Sequence, residues 1–279
     1  MYNVKRLFRN EEVKVAEDMQ RWALILGASS GFGAASSLAL ARHGFSIFGV
    51  HLDRRATAAN ADRLVQEIRR MGPQALFFNV NAADPERRSE VIGTVREMAG
   101  DPGCGGVSVL LHSLAFGTLK PYLSGETANS IKPADMNMTL DVMAHSFVYW
   151  TQDLFAAGLL RQGAKLFAMT SAGGHRVWPM YGAVSAAKAA LEAHVRQLAV
   201  ELSPRGISVN ALQAGVTDTP AARKIPGSEQ MFARASEFNP GNRLTTPEDV
   251  AEFLVALSLC ESTWATGNII RVDGGEDLV

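Results

Sequence analysis

The stretch Leu24–Gly33 reads LILGASSGFG and places three glycines between a short apolar run and an alanine-rich segment. A buried strand that turns directly into a helix has this pattern, because glycine permits a tight turn and a close approach of the backbone to a ligand. The free N–H groups at the start of such a helix attract phosphate. The stretch therefore predicts a strand, turn and helix that bind the pyrophosphate of a dinucleotide. The predicted binding residues are Gly27, Ser29, Ser30, Gly31, Phe32 and Gly33.

Short apolar runs alternate with helical patterns along the chain from Trp22 onwards. This alternation indicates βαβ units, so we expect an α/β fold. Residues 21–279 are predicted to form a single Rossmann-type domain with a doubly wound parallel sheet of about seven strands. The predicted strands are residues 23–26, 46–50, 75–79, 107–112, 165–170, 208–212 and 268–272. The long, irregular stretch 217–244 is predicted to be a lid over the substrate.

The composition excludes several classes of protein. The formal net charge of the 279 residues is −1, so no basic surface is expected to draw a nucleic acid. Cys104 and Cys260 are too few for a disulfide framework, and we expect free thiols in a reducing compartment. The histidines show no metal-ligand spacing, so the sequence predicts no metal site.

Residues 1–20 carry both signs of charge, which suits neither a secretory signal nor a transit peptide. We expect them to form an N-terminal extension on the surface. The sequence has no apolar run long enough to cross a bilayer, so we expect a soluble cytoplasmic protein without a membrane partner.

The end of the second predicted strand carries an acidic residue and two arginines, the residue types that distinguish the adenosine ribose of NAD from that of NADP. A carboxylate such as Asp53 accepts the 2′-hydroxyl of NAD, whereas an arginine pairs with the 2′-phosphate of NADP. Arg54 and Arg55 follow directly, and two adjacent arginines favour NADP(H) over NAD(H). The alternative is that both arginines belong to the solvated first turn of the next helix.

Tyr181 and Lys188 stand seven residues apart in the sequence YGAVSAAK, at the start of another alanine-rich segment. A helix turns by about 100° per residue, so this spacing returns both side chains to nearly the same stripe, roughly 10 Å apart. Both can therefore face one bound cofactor. The alternative is a half-buried aromatic residue and an unrelated solvated lysine.

These motifs together resemble the short-chain dehydrogenase/reductase family, which also has a Gly, three residues, Gly, one residue, Gly turn. Within that family, the tyrosine, six residues, lysine pattern and the turn HSLAF at residues 112–116 are similar to the enoyl-acyl-carrier-protein reductases. Most other members have the tyrosine four residues before the lysine, where this chain has Val184, and an asparagine where it has Met143. The glycine turn is unlike that of many enoyl reductases, so the chain looks like the subgroup that has an ordinary glycine turn.

The resemblance implies NAD(P)H-dependent reduction of trans-2-enoyl thioesters, carried by acyl carrier protein or coenzyme A, as in fatty acid biosynthesis. In this reaction hydride goes to the β-carbon and negative charge develops on the thioester oxygen, where a hydrogen-bond donor stabilises the transition state. We assign that donor to Tyr181. Lys188 is expected to bind the nicotinamide ribose and, through its charge, to favour tyrosinate character in Tyr181. Ser171 is a secondary catalytic candidate.

The resemblance implies the rest of the site as well. It places adenine beside Asn79 and Val80 and the nicotinamide beside Val216, Thr217 and Thr219, and it adds Ser113 to the cofactor-binding residues. The acyl pocket would be lined by Ala115, Phe116, Val184 and Ala221. His112 is expected to be structural, and the family likeness implies a homo-oligomer, a tetramer or a dimer.

Two other functions stay open on the sequence alone. The first is a carbonyl or hydroxy-substrate oxidoreductase that uses Ser171 and Tyr181 on a ketone. The second is a non-catalytic protein that senses NADP through the same fold, although such a protein has no need for both Tyr181 and Lys188.

Overall fold

Seven parallel strands form one sheet in the order β3-β2-β1-β4-β5-β6-β7. The computed structural model describes residues 20–55, 57–100, 105–126 and 129–279. The strands are β1 Arg21–Leu26, β2 Phe45–His51, β3 Ala75–Asn79, β4 Val107–His112, β5 Leu160–Ser171, β6 Ser208–Ala214 and β7 Ile269–Val272. The predicted α/β Rossmann-type fold with seven strands is confirmed.

One strand departs clearly from its predicted bounds, because β5 begins at Leu160 rather than at residue 165. Arg161, Gln162 and Gly163 interrupt the apolar pattern there, yet Leu160 still pairs with Val107 of β4. The predicted extension lies outside the described residues apart from Gln20, and Cys104 lies outside them too. Cys260 is a free, exposed cysteine.

Helices cover both faces of the sheet. They are α1 Gly31–Arg42, α2 Ala58–Arg70, α3 Pro85–Ala99, α4 Pro133–Leu140, α5 Ser146–Ala156, α6 Gly182–Leu202, α7 Ser228–Phe238 and α8 Pro247–Leu259. A π-helical turn, Asp141–His145, joins α4 to α5 without a break. The predicted irregular stretch 217–244 contains α7, and its role as a lid stays a prediction. In the described part of the chain, no helix combines the length and the apolar character needed to cross a membrane.

Two hydrophobic clusters hold the helices to the sheet. On one face Trp22 stacks on Phe48, with ring centroids 4.1 Å apart, and packs with residues of α3, α5 and α6. On the other face Phe45 and Ile47 pack with residues of α1, α2 and α8. Strands buried on both faces read as continuous apolar runs, which is why the sequence revealed them.

The turn between β1 and α1 lies where the strand order reverses, since β1 pairs with β2 on one side and with β4 on the other. Ligands of such sheets bind at this point, beyond the carboxyl ends of the strands. Gly27 has a φ of +89°, and an added Cβ there would overlap the Ser113 carbonyl. An added Cβ at Gly33 would overlap the Gly27 carbonyl. The turn therefore has no room for side chains at these two positions.

Replacing Gly33 by alanine tests this close contact. Gly33→Ala should lower the free energy of unfolding by about 1–3 kcal/mol, because the strand and the helix must separate to admit the methyl group. Gly93→Ala is the matched control, since an added Cβ at Gly93 of α3 meets open space. Alanine should raise the free energy of unfolding there by about 0.5–1 kcal/mol. Urea unfolding followed by circular dichroism measures both, and equal effects of the two substitutions would contradict the packing described.

Candidate active site

The start of α1 is open to an anion. Its N-cap residue Ser30 has extended backbone, its side chain makes no capping hydrogen bond, and the first turn has no acidic residue. Thr219 lies over the turn, because an added Cβ at Gly31 would be 3.5 Å from the Thr219 methyl carbon. The structure thus brings the predicted nicotinamide segment next to the predicted pyrophosphate site.

Asp53 lies at the carboxyl end of β2 with its side chain held from two directions. Its carboxylate accepts hydrogen bonds from Thr57 Oγ1 at 2.6 Å and pairs with His51 Nδ1 at 2.8 Å. Burial opposes ionisation, but Thr57, Ser29 and His51 together outweigh it and lower the pKa of Asp53 below its ordinary value. Ser29 belongs to the glycine turn, so an ionised carboxylate faces the place where the adenosine ribose is expected.

Arg54 and Arg55 are exposed, in contrast to the buried His51 and the half-buried Asp53. They therefore fit the alternative interpretation, in which both arginines are solvated residues that lead into α2. Their exposure leaves the carboxylate as the group that faces the glycine turn.

Asn79 performs a task that the resemblance did not imply. Its side-chain oxygen accepts the Asp53 N–H at 2.9 Å, and its Nδ2 donates to the Asp53 carbonyl at 3.1 Å. The Val80 N–H donates to the His51 carbonyl at 2.8 Å. These bonds fix the chain around Asp53, while an adenine contact by Asn79 and Val80 stays a prediction.

Tyr181 is the N-cap residue of α6, so it precedes the helix that carries Lys188. Met180 before it has a φ of +62°, an uncommon value for a residue other than glycine and one that concentrates at functional sites. The tyrosine ring packs against Gly173, beside which the Ser171 hydroxyl also lies. The structure therefore brings Tyr181 and Ser171 together.

Burial raises the pKa of Tyr181, and the nearby Ser171 hydroxyl acts in the opposite direction. Ser171 Oγ is buried and has no partner with hydrogen-bond geometry among the described residues, although it is close enough to influence the phenol. Burial is the larger of these two effects on the pKa of Tyr181, and an influence of Lys188 on the phenol stays a prediction.

Lys188 is buried beneath the site rather than solvated. Its Nζ donates to the Met169 carbonyl of β5 at 2.7 Å. Burial lowers the pKa of Lys188 to about 8, and Glu192, one helical turn later, acts in the opposite direction. Glu192 also accepts a hydrogen bond from Thr170 Oγ1 at 2.6 Å. The ammonium group is thus held in place with further N–H donors to offer.

His112 is fully buried, and its Nε2 lies 2.8 Å from Ser146 Oγ. Because Ser146 Oγ donates to the Val142 carbonyl, the imidazole is the donor to Ser146. Burial lowers the pKa of His112 to about 3, and the charge of Lys188 adds to this effect. The imidazole is therefore neutral at physiological pH, as suits the structural role expected for it.

The backbone of Val216 is hydrogen-bonded on both sides within the protein. It donates to Glu276 Oε2 at 2.9 Å, and the Thr245 N–H donates to the Val216 carbonyl at 3.2 Å. Thr217 and Thr219 are buried beside it, and Thr219 lies over the glycine turn. The nicotinamide contacts of Val216, Thr217 and Thr219 stay predictions.

The predicted acyl-pocket residues fall into two groups. Ala115 and Phe116 are exposed on the loop after β4, and Phe116 exposes 59% of its surface. Val184 instead lies in the hydrophobic core, where it packs tightly against Gly117. Ala221 is half-buried. Phe116 can therefore meet a ligand directly, whereas Val184 supports the loop from below.

Sequence reasoning missed the residues that hold the site together. Glu192 could have been found, because it follows Lys188 by four residues on the same helix. Glu276 and Asp277 carry no such signal, since their partners Val216 and Gln213 lie about 60 positions away in the sequence. These partners are visible only in the folded chain.

The comparisons with known proteins identify the family. The family model for enoyl-(acyl carrier protein) reductases matches residues 27–276, so the chain belongs to that family of oxidoreductases. An NADH-dependent enoyl-[acyl-carrier-protein] reductase of Buchnera aphidicola is 34% identical over 168 residues, which cover 60% of this chain and 64% of that protein. A 1-cyclohexenylcarbonyl-CoA reductase of Streptomyces collinus is 28% identical over 264 residues, covering 94% of this chain and 89% of that protein.

Two solved structures share the fold. The NADH enoyl-[acyl-carrier-protein] reductase of Aquifex aeolicus has a TM-score of 0.79 at 22% identity, over 94% of this chain and 98% of that chain. A 3-oxoacyl-[acyl-carrier protein] reductase of Brucella melitensis, in complex with NAD, has a TM-score of 0.80 at 22% identity over the same shares. At these identities the likeness concerns the fold, which serves both reductions.

The predicted preference for NADP(H) is wrong. The curated enoyl reductases of Buchnera aphidicola, Escherichia coli, Aquifex aeolicus and Nostoc that match this chain are named as NADH enzymes. The physical reason lies at the end of β2, where the ionised Asp53 faces the glycine turn and would repel a 2′-phosphate. The two arginines on which the preference rested are exposed.

The buried ammonium of Lys188 predicts a pH-dependent stability. The pKa is about 8 in the folded protein and 10.5 for an unperturbed lysine, so between these values the unfolded state holds more protons and stability rises with pH. Relative to Lys188→Met, the wild-type protein should gain up to about 1.4 kcal/mol per pH unit in this window. Urea unfolding at pH 7.5 and 9.5 measures the gain, with the exposed Lys224→Met as control. Parallel pH profiles of wild type and Lys188→Met would show that the lysine is not desolvated.

Proposed function

We propose that the protein is an NADH-dependent reductase of trans-2-enoyl thioesters, carried by acyl carrier protein or coenzyme A. One observation carries the proposal: the half-buried Tyr181 ring and the Ser171 hydroxyl lie together against Gly173, in the loop after β5 at the carboxyl edge of the sheet. The spacing to Lys188 is the one that distinguishes enoyl reductases from ketone reductases within the wider family.

The residues present fit a bound dinucleotide. The uncapped start of α1 suits the pyrophosphate, and the side-chain-free turn lets it approach the backbone. Asp53 suits the 2′-hydroxyl of the adenosine ribose, and Lys188 can donate to the nicotinamide ribose. The backbone of Thr217 is the candidate for the carboxamide. Bound NADH would supply the hydride that reduces the β-carbon.

The role of Tyr181 follows from its protonation state. A protonated phenol donates a hydrogen bond to the thioester oxygen, where negative charge develops when the β-carbon is reduced. Burial strengthens this interaction, because little water competes for the oxygen. The enolate then takes a proton at its α-carbon to complete the saturated thioester.

The surface around the phenol suits an acyl chain. Phe116, Val177 and Met180 expose apolar side chains on the loops on either side of Tyr181. The Streptomyces collinus relative acts, by its name, on a coenzyme A thioester, whereas the Buchnera relative acts on acyl carrier protein. Both carriers present the same thioester, and fatty acid biosynthesis is the proposed context. A lid role for residues 217–244 belongs to this proposal.

A carbonyl reductase is the second candidate, and one observation favours it. Ser171 Oγ is buried without a hydrogen-bond partner in the described part of the chain, next to the Tyr181 ring. Two hydroxyls around one point could hold a ketone oxygen. Turnover of ketones without turnover of enoyl thioesters would select this function.

Removing the hydroxyl of Tyr181 tests its assignment as the hydrogen-bond donor to the thioester oxygen. Tyr181→Phe should lower kcat/KM for crotonyl-coenzyme A and longer enoyl thioesters by about 100-fold or more, as expected for the loss of one donor to a developing oxyanion. The dissociation constant for NADH should change little. Tyr149→Phe on α5 is the matched control, because its ring packs beside His145 and Arg88 rather than Ser171. Full activity of Tyr181→Phe would refute the role of the phenol.

Removing the charge of Asp53 tests the cofactor assignment. Wild-type protein should oxidise NADH in preference to NADPH. Asp53→Asn should lower the ratio of kcat/KM for NADH to kcat/KM for NADPH about tenfold or more, because the repulsion of a 2′-phosphate disappears. Asp62→Asn, an exposed residue of α2, should leave the ratio unchanged. The ratio of kcat/KM values for the two cofactors is the measurement. A wild-type preference for NADPH would contradict the assignment.

A further inference from the structure

Two consecutive acidic residues, Glu276 and Asp277, follow β7, and we call them the acidic pair. They contact the loop after β5 and the segment after β6, which both belong to the candidate active site. They begin a short 3₁₀ helix, Glu276–Leu278. Asp273 fixes its start, since its carboxylate accepts the Gly275 N–H at 2.9 Å and the Asp277 N–H at 3.1 Å. The direction of both acidic side chains is thereby set.

Asp277 joins the ends of three neighbouring strands. Only 3% of its side chain is exposed. It forms ion pairs with Arg176 Nε at 2.8 Å and Arg271 Nε at 3.1 Å. It also lies 3.1 Å from His175 Nε2 and accepts a hydrogen bond from Gln213 Nε2 at 3.0 Å. The first arginine and the histidine belong to the loop after β5, which leads to the catalytic tyrosine. The glutamine lies in β6 and the second arginine in β7.

Glu276 holds the other loop. Its Oε2 accepts the Val216 N–H at 2.9 Å, at the start of the segment that carries Thr217 and Thr219. Gly215 leaves room for this contact, because an added Cβ there would be 2.9 Å from the same oxygen. Burial raises the pKa of Glu276, and the Val216 bond acts against that change. The backbone of the nicotinamide segment is thus tied to a side chain 60 residues later.

We propose that the acidic pair positions the active site. Glu276 fixes the backbone position of the segment that carries Thr217. Asp277 fixes the position of the loop between Ser171 and Tyr181. Neither acid needs to touch a reacting atom, because each acts through the loop it holds. The expected change in kcat rests on the proposed function, whereas the expected changes in NADH binding and in amide exchange do not.

The exposure of the partners indicates a positioning role rather than a general structural one. Arg176, His175 and Arg271 each expose close to half of their side chains. They can return to water when Asp277 loses its charge, so no buried cation is left unpaired. The two hydrophobic clusters that hold the helices to the sheet do not include the acidic pair. Substitution should therefore loosen the loops and leave the sheet intact.

Four variants of the full chain test the proposal. Glu276→Ala removes the acceptor of the Val216 N–H, and Glu276→Gln retains an acceptor oxygen. Asp277→Asn removes the charge at nearly constant shape. Glu261→Gln changes an exposed acid outside these contacts and is the control. The measurements are NADH binding by fluorescence titration, hydrogen exchange resolved by segment, and steady-state kinetics with crotonyl-coenzyme A.

Glu276→Ala should weaken NADH binding about tenfold and accelerate amide exchange in residues 214–219, while Glu276→Gln restores both to near the wild-type values. Asp277→Asn should lower kcat about tenfold with little change in NADH binding, and should accelerate exchange in residues 172–181. The control should match wild type in all three measurements.

Two other results have a definite meaning. Exchange that rises equally throughout the sheet, with NADH binding and kcat unchanged, would show a purely structural role and overturn the proposal. A wild-type protein that reduces no enoyl thioester, but whose variants shift NADH binding and segment exchange as expected, would refute the proposed function and support the positioning role.

Discussion

The contact between the backbone of the β1 turn and the backbone after β4 is the constraint on which the site depends. Gly27 touches the Ser113 carbonyl, and the Ser113 N–H donates to the Leu26 carbonyl at 2.8 Å. No side chain fits between them, so the turn and the β4 loop keep one fixed separation. Because all strands of the described sheet are parallel, the ends of β2, β5 and β6 meet at this same edge. The groups that would surround a dinucleotide are therefore brought together by topology.

The chemistry of the site depends on the burial of its ionisable groups. Burial lowers the pKa of Lys188 to about 8, and Glu192 acts in the opposite direction. The pKa therefore lies only slightly above neutral pH, and most of the lysine is protonated there. Burial lowers the pKa of His112 to about 3, so its imidazole is neutral, and burial raises the pKa of Tyr181. A phenol whose pKa is raised is a hydrogen-bond donor rather than a base, which suits the proposed reduction.

The cofactor preference shows how neighbouring residues can mislead. Asp53, Arg54 and Arg55 are consecutive, and the sequence offers a carboxylate and two guanidinium groups for the same ribose. Only the folded chain shows that His51, Thr57 and Asn79 hold the aspartate and its backbone in place, while both arginines remain in solvent. The number of arginines was therefore a poor guide, because direction and burial decide which group meets the ligand.

The sequence by itself determined the seven strands and the glycine turn, because apolar periodicity and glycine content are local properties. That Tyr181 and Lys188 face one cofactor stays a prediction. The sequence placed β5 five residues late, since polar residues hide the first part of that strand. It missed the ties from Asp277 to Gln213, from Glu276 to Val216 and from Asn79 to the backbone of Asp53. Those bonds join residues that are 26 to 64 positions apart, so no local pattern predicts them. The tertiary structure alone decided them, because a hydrogen bond or an ion pair forms only where the packed strands bring its two partners within about 3 Å.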